Sequence, residues 1–176
     1  MNVIIQIMKA ITIVNKSIPW FIGSLIAIVS FLLALDVVLR YFFSAPTVWA
    51  FDLSTWSTGV VAFLLGGYAL AKGHHVRVDI LFERFSTRAK SIVDIIGGMF
   101  LLFIAGTLVV VGFSYVIHYF QIGATSSGGM EMPLWVQWSI VPIGGLLIGL
   151  QGIVKLINDF AMIMRGKPLY VTEEEE

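Results

Sequence analysis

Three charged residues border the first two apolar stretches of the sequence and are the first candidates for chemistry. Asp36 and Arg40 are four positions apart, so their side chains share one helical face and can pair. Asp52 begins the next apolar stretch and could reach Arg40 across the intervening turn. Charges inside a membrane suggest an ion or proton path, whereas the simpler alternative is an electrostatic clasp for a hairpin or a partner helix. We favour the clasp, because all three charges cluster near one membrane face and none lies at the midplane.

The three histidines raise a second possibility, which is ligation of a haem between helices. His74 and His75 fall at the opposite end of the expected spans from His118, so the three side chains cannot ligate one haem. The chain has no cysteine, which excludes disulfides, thiolate metal sites and cysteine nucleophiles. We therefore expect no catalytic residue, no metal site and no cofactor in this chain.

The overall composition predicts an all-α membrane protein. Hydrophobic residues make up 58% of the chain and charged residues 12%, and the mean hydropathy is +0.92. These values exceed those of water-soluble globular domains. A chain of 176 residues has room for about four spans of roughly 20 residues each, within a single membrane domain, 1–176. The expected spans are 17–43, 51–72, 90–121 and 133–160.

The basic residues predict the orientation of these spans. The stretch 72–90 holds five of the eleven lysines and arginines, and the segments near both termini hold the others apart from Arg40. The short loops 44–51 and 121–133 hold none. Because lysine and arginine stay on the cytoplasmic side, both termini and the central stretch are expected there. The spans then form two hairpins whose tight loops face outward.

Three segments outside the spans have distinct expected conformations. Residues 1–16 mix isoleucines with polar side chains, which suits a short helix on the membrane surface. Within 72–90 the apolar residues recur at intervals of three and four, as in an amphipathic cytoplasmic helix between spans two and three. The acidic tail 171–176 is expected to be disordered.

Small residues recur at helical spacing in two spans. Thr58, Ala62 and Gly66 are four apart in the second span, and Gly145 and Gly149 form a GxxxG pair in the fourth. Such spacing lets helix backbones approach closely in lipid. The contact could lie inside this bundle or with a large partner, and the spacing does not distinguish the two.

Two sequence features surround the first outer loop. Arg40 to Phe42 end the first span, and Pro46 and Trp49 follow in the loop. Asp52 stands three positions after that tryptophan.

Two further features lie in the second half of the chain. Residues 73–79 read Gly-His-His-Val-Arg-Val-Asp, with His75 and Asp79 four apart. Residues 132–135 read Met-Pro-Leu-Trp, and Pro-Ile-Gly follows at 142–144 in the last span.

Together these four features resemble the small membrane subunit of tripartite ATP-independent periplasmic (TRAP) transporters, over about residues 17–160. In that comparison His75 and Asp79 match the His-x-x-x-Asp signature of the family. Asp52 stands where the family usually has glutamate, and it is shorter by one methylene. The pair His75 and Asp79 needs no catalytic role and could fix the turn from the second span onto the membrane surface.

The resemblance implies a non-enzymatic subunit of a secondary transporter in the bacterial inner membrane. Its expected partners are a large membrane subunit that carries substrate and sodium, and a periplasmic substrate-binding protein. The small subunit would enlarge the static scaffold of the large one and offer part of the docking surface. The transported substrate would be an organic acid anion, such as a C4-dicarboxylate, a keto acid or a sialic acid.

We expect the outer loops to contact the binding protein through Pro46, Trp49, Pro133 and Trp135. The glycine faces and the amphipathic loop are expected to contact the large subunit. Three alternatives of other classes are a haem-bearing electron carrier, a small independent channel and a stability factor for another complex.

Overall fold

The computed structural model describes residues 2–72, 87–166 and 169–170, and it contains four long apolar helices. They are α1 (Asn2–Phe43), α2 (Ala50–Ala71), α3 (Thr87–Ile122) and α4 (Leu134–Arg165). Each is long and apolar enough to cross a membrane, as the composition predicted. The expected amphipathic helix, with His75 and Asp79, and the acidic tail lie outside the described residues.

Helix α1 differs from the expectation of a separate surface helix over 1–16. It is a single helix of 42 residues that continues through Pro19. Met8, Thr12 and Ile22 are all buried, so one face packs on the bundle on both sides of the proline. This packing outweighs the main-chain hydrogen bond that the proline removes. At 1.5 Å per residue the helix is about 63 Å long, roughly twice the hydrocarbon thickness.

Helix α4 lies at the centre of the packing. It contacts α3 most extensively and α2 next, while α1 packs mainly on α2 and touches α4 less. Small residues set these contacts. A Cβ added at Gly144 would lie 2.5 Å from the main-chain oxygen of Phe63, and one at Gly112 would lie 2.8 Å from Cδ of Pro142. Each helix therefore packs mainly on its neighbours in the order α1, α2, α4, α3. The two predicted hairpins, α1 with α2 and α3 with α4, are neighbouring pairs in this order.

The described N-caps of α2 and α4, Trp49 and Pro133, make no side-chain capping hydrogen bond. Helix α4 ends at Gly166, which has φ of 68° and donates its N–H to the oxygen of Met162 at 2.9 Å. Helix α2 begins after Trp49 and carries Asp52 in its first turn, where a carboxylate is favoured by the helix dipole. The connections α1–α2 and α3–α4 meet at one end of the bundle, which we call the loop end and define as residues 44–49 and 123–133.

Candidate functional site

The first connection at the loop end is held by Asp36 near the end of α1. Asp36 is 4% exposed and accepts the main-chain N–H of Thr47 at 2.8 Å. It also accepts the Thr47 hydroxyl in a short hydrogen bond and Nη2 of Arg40 at 2.8 Å. The Arg40 side chain is 55% exposed. Asp36 thus organises the turn through Thr47, and Arg40 covers it from outside.

Asp52 contacts the second connection. Its carboxylate is buried, with 3% of the residue exposed, and Oδ2 accepts the main-chain N–H of Met130 at 3.1 Å. A Cβ added at Gly128 would come within 2.0 Å of Asp52 Oδ1, so only glycine fits beside the carboxylate. In this structure Arg40 pairs with Asp36, and the expected contact of Asp52 with Arg40 stays a prediction. The carboxylate joins the start of α2 to the loop before α4.

The second connection is a small hairpin. Ser126 donates its N–H to the oxygen of Met132 at 2.8 Å, and Leu134 donates to Ala124 at 3.0 Å. Gly129 has φ of 46° at the tip, and a Cβ there would lie 2.7 Å from Cβ of Val48. The two connections consequently pack on each other and form one continuous surface.

A polar pocket of about 240 Å³ lies between α2 and this hairpin. Trp56 is one of the residues that line this pocket, and its buried Nε1 has no hydrogen-bond acceptor among the described residues. The polar side chains of the lining are Asp52, Thr55, Thr125, Ser126, Ser127 and Gln137. Residues that carry carboxylate, hydroxyl and amide groups therefore line an open space together with the Trp56 indole N–H.

The four residues expected at the docking surface lie at this end with different exposure. Pro46 and Pro133 are exposed, Trp49 is half-buried, and Trp135 is 37% exposed. Trp135 packs edge-on against Phe120, with ring centroids 5.8 Å apart. Three of the four side chains are thus accessible at the surface.

An aromatic cluster next to this surface was not anticipated from the sequence. Tyr115 stacks on Trp138 at 4.5 Å between centroids, and Tyr119 stacks on the same tryptophan at 5.6 Å. His118 is exposed and lies edge-on to Tyr119. Spacing of four residues on α3 was the signal available, and aromatic residues of this kind favour the membrane interface.

The glycines expected at helix interfaces all lie at contacts within the chain. A Cβ at Gly66 would stand 2.6 Å from Cδ1 of Ile148, and one at Gly145 would stand 3.1 Å from the oxygen of Ala105. Gly149 is less confined, since its Cβ would lie 3.5 Å from Cβ of Ala105. These positions show close helix contacts on both sides of α4.

A buried polar layer joins α1 to α4 and was also missed. Thr12, Asn15 and Gln151 are at most 5% exposed. Asn15 Nδ2 donates to Gln151 Oε1 at 3.3 Å and to the oxygen of Ile11 at 3.2 Å, while Gln151 Nε2 donates to Thr12 Oγ1 at 3.5 Å. Asn15 Oδ1 faces Gly67, where a Cβ would come within 2.0 Å. Polar residues three apart in an apolar run were the signal for this layer.

Ion pairs lie at the end of the bundle opposite the loop end, which we call the far end. Lys155 of α4 lies 3.3 Å from Asp94 of α3 and 2.9 Å from Asp159. Asn158 donates to the oxygen of Tyr170 at 2.9 Å and accepts its N–H at 3.1 Å. These bonds hold α3 and the segment after α4 against the end of α4.

Comparison with known proteins decides the family. The family described as "Tripartite ATP-independent periplasmic transporters, DctQ component" matches residues 19–162, which include all of α2 and α3 and most of α1 and α4. The chain belongs to this TRAP family. It is a multi-pass membrane protein and a TRAP transporter small subunit, as the sequence resemblance predicted.

Two relatives of the TRAP family extend the comparison. A protein of Haemophilus influenzae, provisionally named a TRAP transporter small permease protein, is 27% identical over 155 residues, covering 88% of this chain and 94% of the relative. The C4-dicarboxylate TRAP transporter small permease protein DctQ of Rhodobacter capsulatus is 28% identical over 102 residues, covering 57% of this chain and 44% of the relative. No solved structure matches the chain significantly.

The range matched by the TRAP family includes some of the sites described above and leaves others out. It includes the carboxylates Asp36 and Asp52, the hairpin and Gln151. It begins after Thr12 and Asn15, so the partners of Gln151 on α1 lie outside the matched range. The loop end therefore lies wholly within the region shared with the family.

Proposed function

We propose that this chain is the non-catalytic scaffolding subunit of a sodium-coupled TRAP transporter for an organic acid anion, such as a C4-dicarboxylate, a keto acid or a sialic acid. The large membrane subunit would carry the substrate and sodium. The observation that supports this role best is the packing order α1, α2, α4, α3. In this order α1 and α3 each pack mainly on one neighbour and keep broad apolar faces available to lipid and to partner helices.

We infer that both termini lie in the cytoplasm of a bacterial cell and that the loop end faces the periplasm, with the protein in the inner membrane. Arg40 is the one arginine or lysine of the described residues near the loop end. Lys9, Lys16, Lys155 and Arg165 lie toward the other end. This asymmetry supports the orientation, because positively charged residues are retained in the cytoplasm.

The loop end is the proposed docking surface for the periplasmic substrate-binding protein. Pro46, Pro133 and Trp135 are accessible there, and the contact between Gly129 and Val48 joins the two connections. A surface that is already shaped loses little conformational entropy on binding. The accessible positions would contact the binding protein directly.

The remaining predicted residues have proposed structural roles. Asp36, Arg40 and Asp52 would hold the loop end, and Gly66, Gly145 and Gly149 would let α2, α3 and α4 approach closely enough to present one rigid surface to the large subunit. His75 and Asp79 would fix the turn after α2, where the large subunit could pack.

The test is co-expression of this chain with the large subunit, followed by purification in detergent and by uptake in reconstituted vesicles. We expect this chain to co-purify with the large subunit and sodium-driven uptake to require it. Uptake that continues undiminished without this chain would refute the scaffold role. Haem absorbance in the purified chain, or ion conduction by the chain alone, would favour the other protein classes considered above.

A further inference from the structure

The carboxylate of Asp52 is buried, and within the described residues the N–H of Met130 and the N-terminal dipole of α2 are what compensate its charge. Asp52 is 3% exposed, and the bond from Met130 N–H to Oδ2 is its one hydrogen bond within the described part of the chain. No arginine or lysine of residues 2–72, 87–166 and 169–170 pairs with it. A buried carboxylate is costly unless it is paired with a cation or fully hydrogen-bonded. Asp52 therefore has capacity for a further, positively charged donor.

The polar pocket gives that donor a place beside Asp52. Asp52 itself lines the pocket, so an entering group can approach the carboxylate from this side. Thr125, Ser127 and Gln137 supply hydroxyl and amide oxygens around the same space. A guanidinium or ammonium group carries several N–H donors and no acceptor, so it suits the oxygens of these side chains and leaves Trp56 Nε1–H without an acceptor.

The charge of the surrounding surface has the sign that attracts a cation. Asp36, Asp52 and Glu131 supply three carboxylates at this end of the bundle, against the single guanidinium of Arg40. Arg40 already bonds Asp36, and Glu131 is exposed. Complementary charge at an interface steers the encounter and fixes its register.

We propose that the pocket beside Asp52 receives an arginine or lysine side chain of the periplasmic substrate-binding protein. The basic group would pair with the free oxygen of Asp52 and hydrogen-bond to Thr125, Ser127 and Gln137. This inference rests on the proposed function, since it assumes that the loop end is the docking surface. It adds a specific anchor and the chemistry of the partner group to that surface.

The test uses this chain assembled with the large subunit in lipid nanodiscs and measures the dissociation constant of the binding protein. Asp52→Asn removes the charge but keeps an oxygen that can accept the N–H of Met130. We expect binding to weaken at least about tenfold, as for loss of one partner of a buried ion pair. The matched control is Glu131→Gln, which removes one exposed negative charge at the same end and is expected to weaken binding by about twofold.

A second variant addresses the pocket without altering the carboxylate. Ser127→Trp places a large side chain on a pocket-lining position that is exposed, and it is expected to weaken binding as much as Asp52→Asn does. If Asp52→Asn does not assemble, Ser127→Trp decides the matter. Wild-type affinity in the assembled Ser127→Trp variant would overturn the proposal.

A third measurement identifies the basic group. Each surface arginine and lysine of the binding protein is changed to glutamine in turn and combined with Asp52→Asn in a double-mutant cycle. We expect one basic residue whose loss has little further effect once Asp52 is neutral. Strictly additive effects for all of them would overturn the proposal.

Binding by the wild-type assembly distinguishes failure of the proposed docking function from failure of the pocket proposal. If the wild-type assembly does not bind the binding protein, the proposed docking function fails and the pocket proposal fails with it. If the wild type binds and both Asp52→Asn and Ser127→Trp bind equally well, docking stands and only the pocket is refuted.

Discussion

At the loop end, two carboxylates accept main-chain N–H groups from the connections. Asp36 bonds Thr47, and Asp52 bonds Met130. At the far end and in the polar layer near it, side chains also bond other side chains across helices, as Lys155 does with Asp94. One far-end side chain, Asn158, bonds the main chain of Tyr170 as the loop-end carboxylates bond theirs. A bond to a main-chain group fixes the path of a loop, whereas a bond between two side chains fixes how helices align. The loop-end carboxylates thus shape the connections, and the far end and the polar layer add bonds that set helix register.

The largest effect should come from removing the carboxylate of Asp52. Asp52→Ala leaves the N–H of Met130 without its acceptor and is expected to destabilise the chain by about 1.5–3 kcal/mol, the usual range for a hydrogen bond to a charged group. Thermal unfolding in detergent measures the loss. Hydrogen exchange should rise in residues 123–133 and stay unchanged at Lys155. Asp52→Asn keeps an acceptor and should preserve most of the protection. Faster hydrogen exchange at both the loop end and the far end would contradict the idea that Asp52 stabilises only the adjacent hairpin.

Gly67→Ala tests the helix contacts beside the polar layer, where α1 packs on α2. The added Cβ would come within 2.0 Å of Asn15 Oδ1 and 3.1 Å of the oxygen of Leu147, so the Asn15 side chain must leave its bond to Gln151 or α1 must move away from α2. Overpacking of this kind should cost about 1–2 kcal/mol of unfolding free energy. The matched control on the same helix is Gly59→Ala, where nothing lies within 4 Å and the alanine should be neutral or stabilising. Equal effects of both substitutions would show that α1 does not depend on this contact.

The hydrogen bonds of the polar layer should contribute less to the free energy of unfolding than the burial of their side chains suggests. A double-mutant cycle of Asn15→Ala and Gln151→Ala is expected to give a coupling energy of about 0.6 kcal/mol, typical of hydrogen bonds between membrane helices. The unfolding free energy in detergent is the measured quantity. A coupling energy near zero would mean that packing alone holds α1 in register.

The smallest effect is expected from Arg40→Ala. The guanidinium is largely exposed, and Asp36 retains both bonds from Thr47 without it. We expect the unfolding temperature of the isolated chain to be nearly unchanged. Thr47→Val, which removes the hydroxyl donor to Asp36, should have the larger effect of the two. Changed sodium coupling in Arg40→Ala, with intact assembly, would revive the ion-path alternative.

The sequence predicted the parts of the structure that depend on local pattern. Apolar runs of spanning length identified four helices, and the spacing of four between Asp36 and Arg40 identified their ion pair. Both signals lie within one helix, where geometry follows from the helical period.

Contacts between residues far apart in the sequence could not be predicted from patterns within a single helix. The acceptor of the Met130 N–H is 78 positions away, and Asn15 meets Gln151 across 136 positions. The polar character of 1–16 predicted a surface helix because the sequence gives no sign that Gln151 and Gly67 would cover its polar face. The hairpin that places the Met130 N–H at Asp52 has positive φ at Gly129 and Glu131, and such backbone angles are a property of the folded loop.

Pro19 gives the long first helix an uneven stiffness. A proline has no N–H, so the main-chain oxygen of Asn15, four positions earlier, lacks its usual helical donor. The helix is therefore most easily bent one turn beyond the point where the Asn15 side chain holds it to Gln151. Ile22 and Val29 follow the proline and are buried as well, so packing on both sides of this weak point, rather than the main-chain ladder, keeps the first helix aligned with its neighbours.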